Sequence, residues 1–307
     1  MEFRTRVEIE KPSWQIEPAE SMLFVGSCFA DQIGQRFAEE EFPVTVNPYG
    51  VMYNPASILH TLQRLEEREE RREGREYSQE KKTILEDVRG EKKSLSSFLF
   101  PLSSLSLVVL TLGTNHIYVE KDTGKIVDNC QKRPQSLFEE RELTVNDCAD
   151  YLKQSITLLR QWNPSMKVIL TVSPIRYQKY GFHRSQLSKA VLLLAIDKLL
   201  ADNSSLNASL YYFPAYEIVN DELRDYRFYN PDMMHPTAQT VEYIWQRLVE
   251  TCFSDTAKRY LEEWQPLKRA IAHRPFNPDS QEYQQFLQKT QDQLKAFKTK
   301  WKVPFCS

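Results

Sequence analysis

Glycine is scarce in this chain. Eight occur in 307 residues, and none builds a glycine-rich phosphate loop, so a flavodoxin-like nucleotide binder is a weak reading. Cysteine is also sparse and poorly spaced. Cys28, Cys130, Cys148, Cys252 and Cys306 are an odd number without a C-x-x-C pair, which argues against a disulfide framework and a zinc site. No His/Asp cluster has ligand spacing, so neither a metal nor a cofactor is expected. Charge of one sign is missing as well. Forty basic and 42 acidic residues leave a net charge of −2, which points to neither nucleic acid nor an acidic tail. The longest apolar runs span about one strand, too short to cross a membrane. The opening segment MEFRTRVEIEK lacks the apolar stretch of a signal peptide, and the expectation is a cytoplasmic protein with no membrane partner.

What is present is a globular composition, 41% hydrophobic and 12% aromatic, in a chain long enough to bury a large core. Three near-continuous apolar runs read as strands covered on both faces: Met22–Val25, Ser106–Leu112 and Lys167–Val172. Leu210–Phe213 is a weaker strand, and Val44–Val46 a short one. Amphipathic runs alternate with them at Ala30–Glu41, Val145–Gln161 and Leu187–Leu200. Such alternation predicts an α/β fold, doubly wound, with a parallel sheet. The segment 64–93 departs from it, with ten basic and ten acidic residues in thirty, and reads as a solvated helical insertion held by i,i+4 pairs. Residues 1–253 form the expected α/β domain. Residues 254–307 form a polar helical extension, suited to covering the sheet or to joining a homodimer.

Ligands in an open parallel sheet bind at the carboxyl ends of the strands. Polar groups cluster just past these strands, at Gly26-Ser27-Cys28, at Gly113-Thr114-Asn115-His116 and at Ser173-Pro174-Ile175-Arg176. The loop Asp225–Thr237 lies beyond the last strand. Ser27 and Cys28 are adjacent candidate nucleophiles at a strand-to-helix turn, where the helix N-terminus favours negative charge and a partly ionised thiol. Asp232-x-x-His235 supplies a carboxylate spaced to orient one imidazole nitrogen, leaving the other as a general base. His60, His116, His183 and His273 read as structural or merely exposed. Arg176 and Arg227 could bind an anionic substrate group, although acidic neighbours make structural ion pairs at least as good a reading.

Gly26–Ala30 spells GSCFA, and the chain resembles the GSCFA-domain family. The same resemblance extends over Asn47-Pro48-Tyr49-Gly50, Tyr53–Ile58, Leu112-Gly113-Thr114, Thr171–Pro174, Ser188-Lys189-Ala190, Tyr212–Glu217 and Asp221–Tyr229, leading into Asp232–Pro236. That family is considered similar to the SGNH/GDSL hydrolases. The resemblance therefore implies a three-layer α/β/α fold with a mostly parallel, flavodoxin-like (SGNH-type) sheet plus the C-terminal helical appendage. It places Cys28 where the SGNH serine stands and Ser27 where an aspartate stands. It makes Gly50 and Asn115 the oxyanion-hole donors and Asp232 and His235 the remaining catalytic pair. Asn47, Tyr49, Thr114, Arg176 and Arg227 are candidates for substrate binding. His116 replaces an aspartate of the pattern, and Gln131 stands where the family usually has histidine. The implied activity is acyl-ester hydrolysis through an acyl-enzyme, on a small or carbohydrate-linked ester. The alternatives are an O-acyltransferase on the same scaffold and a catalytically silent SGNH-like binding module.

Overall fold

The computed structural model describes residues 4–76, 100–128, 130, 133–202, 209–276 and 279–302. The second half of the charged insertion, Gln131 and Cys306 lie outside them. The chain runs β1 (Ser21–Gly26), α1 (Cys28–Glu39), β2 (Val44–Val46), α2 (Pro55–Glu76), β3 (Leu105–Leu112), β4 (His116–Glu120), β5 (Ile126–Val127), β6 (Phe138–Glu142) and α3 (Val145–Trp162). It continues with β7 (Lys167–Val172), α4 (Phe182–Ala201), β8 (Leu210–Tyr212), α5 (Ala215–Glu217), which passes into a π-helical turn Ile218–Leu223, then α6 (Ala238–Cys252), α7 (Asp255–Ala272) and α8 (Gln281–Trp301).

Five strands form a parallel sheet in the order β2-β1-β3-β7-β8. The apolar runs are continuous because both faces are covered. Alternate side chains divide between two cores, as the two-residue period of a strand requires. Leu23, Val25, Val108, Leu110, Val168 and Leu170 face α2, α3 and α4. Met22, Phe24, Leu107, Val109 and Ile169 face α1 and α6. This is the doubly wound parallel sheet that the alternation predicts, in the three-layer arrangement that the family resemblance implies. Gly26 pairs with Thr111, and Leu112 with Val172, so β1, β3 and β7 end together and their outgoing turns share one edge.

Two features add to the sequence reading. A second, antiparallel sheet, β5-β4-β6, grows from the end of β3. It was not legible, because β6 is FEERE, with Phe138 its one buried residue. The C-terminal helices share the α1-side core. Tyr260, Trp264 and Phe297 are buried in the same cluster as Phe24 and Phe37. The Tyr260 hydroxyl donates to the carbonyls of Glu40 and Glu41 at 3.1 Å each, just past the end of α1. Among the described residues no helix is long and apolar enough to cross a membrane.

Candidate active site

The turn after β1 is built around Gly26. Its φ of +150° suits glycine, and a Cβ there would overlap the backbone of Thr111 on β3. The Gly26 N–H donates to Asn47 Oδ1 at 2.8 Å, and Asn47 Nδ2 donates to Asp31 Oδ1 at 2.6 Å. Asn47 thus pins the turn to the first turn of α1. Ser27 has extended dihedrals and is the N-cap of α1, its Oγ accepting from the Phe29 N–H at 3.4 Å. It is 1% exposed. Cys28, the first helical residue, is only partly buried. The geometry separates the two candidates: the hydroxyl is a buried cap, and the thiol is partly buried against the α1-side core.

The Cys28 thiol has an acidity set by opposing effects. Burial pushes it up from the usual thiol range, and Asp31 adds to that. The backbone N–H groups of Cys28 and Phe29 and the charge of Lys189 pull it down. The net direction is upward. The helix N-terminus therefore does not leave a ready-made thiolate, contrary to the sequence expectation. Desolvation outweighs the helix dipole here, and ionising the thiol near neutral pH requires a base.

The Asp232/His235 loop carries one. Asp232 Oδ1 accepts from the N–H groups of Met234 and His235 at 2.8 and 3.0 Å, and Oδ2 lies 2.6 Å from His235 Nδ1. These bonds, the backbone ones foremost, hold the carboxyl down to about 2. An ionised carboxylate can only accept, so Nδ1 carries the proton and Nε2 is the free basic nitrogen. The loop is tied to the segment after β7. The Arg176 N–H donates to the Met234 carbonyl, and the Arg176 guanidinium to the Met233 carbonyl, both at 3.1 Å. The same guanidinium lies 4.2 Å from the ring centre of Phe182 and 5.6 Å from those of Tyr226 and Tyr229. Arg176 thus braces the loop.

The hydrogen bonds of the other expected site residues place them as follows. The Gly50 N–H donates to the Asn47 carbonyl at 2.8 Å and closes a turn, so it is not offered to an oxyanion. Asn115 is 2% exposed, and its Nδ2 donates to the Leu143 carbonyl at 2.8 Å. Its amide anchors the start of the second sheet to the α3 entry. Thr114 is buried, with Oγ1 3.0 Å from Ser188 Oγ. The Tyr49 hydroxyl donates to the Arg64 carbonyl at 3.3 Å, with the Arg64 guanidinium over its ring. Asn47, as described, is a brace. Arg227 pairs with Asp225 at 2.9 Å and borders a cleft of about 780 Å³, whose lining includes Arg4, Tyr243 and Arg247 but none of Cys28, Asp232 and His235. His116 is buried and stacked on Tyr180 at 3.7 Å, and burial lowers its basicity.

Two contributors escaped the sequence reading. Tyr177 packs edge-on to Tyr53 at 6.0 Å and stacks on Tyr180 at 5.3 Å. Burial, with smaller effects from Tyr53, Glu140 and Cys28, pushes its hydroxyl up to about 12. Lys189 is fully buried on α4 and donates to the carbonyls of Gly113 and Ser173 at 2.7 Å each. Its signal lay in the spacing. Ser185, Ser188, Lys189, Leu192 and Ile196 follow the three-and-four repeat of one buried helix face.

Comparison with known proteins adds the family. Among curated proteins none matches the chain. Solved structures that resemble it include a provisionally assigned platelet activating factor from Streptococcus pneumonia (13% identity, 78% of this chain and 85% of that one, TM-score 0.41). Others are an active-site mutant of a family two carbohydrate esterase from Clostridium thermocellum (11%, 76% and 63%, TM-score 0.40) and an acetyl esterase mutant with an acetate ion (10%, 80% and 100%, TM-score 0.38). Residues 264–305 match the C-terminal domain of GSCFA domain proteins. Residues 21–248, which hold the Cys28 turn, Lys189 and the Asp232/His235 loop, match the GSCFA family itself, and the chain belongs to that family.

Proposed function

We propose that the protein is an ester hydrolase in which Cys28 is the nucleophile and His235, oriented by Asp232, is the general base. The observation that carries this reading is the 2.6 Å contact of His235 Nδ1 with Asp232, in a loop braced to the same sheet edge at which Cys28 leaves β1. His235 Nε2 takes the thiol proton as sulfur attacks the ester carbonyl. The alcohol departs with that proton, leaving a thioester. Water, deprotonated by the same nitrogen, attacks the thioester and releases the acid and the thiol. The oxyanion meets the Cys28 N–H at the N-terminus of α1, where the helix dipole adds to its stabilisation. Tyr177 and Tyr53, packed edge-on at 6.0 Å, would suit the apolar or ring face of a small or carbohydrate-linked ester.

Hydrolysis of p-nitrophenyl acetate and butyrate by the wild type, Cys28→Ala, Ser27→Ala and His235→Ala tests the assignment. Cys28→Ala and His235→Ala are expected to lose about 10²-fold or more in kcat/KM, and Ser27→Ala to remain active. Four indistinguishable rates would remove the enzyme reading. Activity confined to the wild type and Cys28→Ala would move the nucleophile to Ser27.

A further inference from the structure

Lys189 is a charged group that this chemistry does not use. It is 3% exposed. Its Nζ donates to the carbonyls of Gly113 and Ser173 at 2.7 Å each, one residue past the ends of β3 and β7. The ammonium therefore bridges the carboxyl ends of two central strands. Gly113 in turn lies against the nucleophile turn, since a Cβ on it would stand 3.3 Å from the Cβ of Ser27. Two of the three ammonium hydrogens are given to these carbonyls. A neutral amide could bridge two carbonyls without the desolvation that a buried ammonium incurs, so the charge needs its own account.

We propose that Lys189 is a positioning residue for Cys28: anchored on the Gly113 and Ser173 carbonyls, its buried ammonium balances the negative charge that develops on the Cys28 sulfur. The inference rests on Cys28 being the nucleophile. Two charges act on the thiol: Asp31 on its own helix raises its proton affinity, and Lys189 on α4 lowers it. The ring of Tyr216, centred 6.0 Å from Nζ, faces the ammonium from another side. Burial lowers the lysine to about 7, and Cys28 is the group that pulls it back up. Ammonium and sulfur thus ionise as a coupled pair, in which each favours the charged form of the other.

Reciprocity gives the test two arms. In the first, iodoacetamide alkylation of Cys28 is followed by peptide mass spectrometry against pH in the wild type, Lys189→Met and Lys189→Arg. Lys189→Met is expected to react about tenfold more slowly near neutral pH, a rise of about one unit in the thiol midpoint. Lys189→Arg, which keeps a cation, is expected to recover part of the rate. In the second arm, the Lys189 13Cε resonance is titrated in the wild type and in Cys28→Ala, where its midpoint is expected to fall. This arm decides the question should Lys189→Met fail to fold. Superimposed alkylation profiles, or a lysine midpoint indifferent to Cys28→Ala, would overturn the proposal. Neither arm uses ester hydrolysis. Coupling in a protein without esterase activity would sink the hydrolase reading alone, and activity without coupling would sink only the role of Lys189.

Discussion

Replacing Lys189 with methionine should change how stability depends on pH. A lysine held near 7 in the folded chain and near ~10.4 in the unfolded one releases its proton first from the folded state. Between those values the unfolded chain binds more protons, so the free energy of unfolding rises with pH. From about pH 7 to about pH 8.5 the rise is on the order of 1–2 kcal/mol. The interval is bounded by other groups with known signs. His116, lowered by burial, contributes its own rise below about pH 6.5, which is complete above it. Cys28, Cys148 and Cys252, all raised by burial, keep their protons longer in the folded state and reduce stability above roughly pH 8.5.

Urea unfolding at closely spaced pH values reads this directly, since the midpoint moves with stability at constant slope. The wild type should gain on the order of 1–2 kcal/mol across the interval, and Lys189→Met should stay level. The absolute stability of the variant is less diagnostic, because two effects oppose. Methionine removes the cost of a buried charge, but it leaves the Gly113 and Ser173 carbonyls without their donor, at about 1–3 kcal/mol each. A wild type whose stability is flat over the interval, or a variant with the same slope, would refute the reasoning that burial lowers the proton affinity of the lysine.

Three other substitutions probe the turn and the loop. Ser27→Ala should cost about 1 kcal/mol in urea unfolding through loss of the α1 cap, with ester hydrolysis changed only a few-fold; a loss as deep as that of Cys28→Ala would contradict the division of roles. Gly26→Ala should destabilise by more than about 3 kcal/mol, because the new Cβ meets the Thr111 backbone at a φ that favours glycine; a melting temperature near that of the wild type would show that β1 and β3 can separate there. Asp232→Asn keeps an oxygen for the Met234 and His235 N–H groups but no longer fixes the imidazole tautomer, so kcat should fall by about 10²-fold or more with little change in the melting temperature. Wild-type turnover in that variant would rule out His235 as an oriented base.

The legible part of the fold follows from burial. Val108–Leu112 and Val168–Val172 lie in the middle of a sheet covered on both faces, so almost every position is apolar and the run announces itself. The β6 strand FEERE pairs through its backbone while four of its five side chains are exposed, and nothing in such a stretch distinguishes a strand from a solvated loop. At the site, residue type was readable and direction was not. Gly50 and Asn115 occupy the positions of an oxyanion-hole pattern. Whether an N–H faces a substrate or closes a turn depends on the path of the chain, here on the turn Asn47–Gly50 and on the Leu143 carbonyl. Lys189 was hidden differently. Its helix is apolar over much of its circumference, with Leu194 and Leu187 exposed, so the buried face had too little contrast for one charged residue on it to stand out.

The two adjacent nucleophiles show how helix geometry resolves what a motif leaves open. An N-cap residue keeps extended dihedrals so that its side chain can fold back onto the free N–H groups of the first turn. Ser27 does this, and its Oγ is turned inward to Phe29 N–H. The next residue is the first with helical dihedrals, and its side chain projects from the start of the helix. A serine that caps cannot also present its oxygen to a substrate without giving up the cap. The glycine before it lets β1 approach Thr111, the serine caps, and the cysteine is left as the less buried of the two. The order Gly-Ser-Cys therefore divides three tasks among three residues. The thiol in that position is partly desolvated and raised in pKa, and the role proposed for Lys189 is a physical answer to that cost.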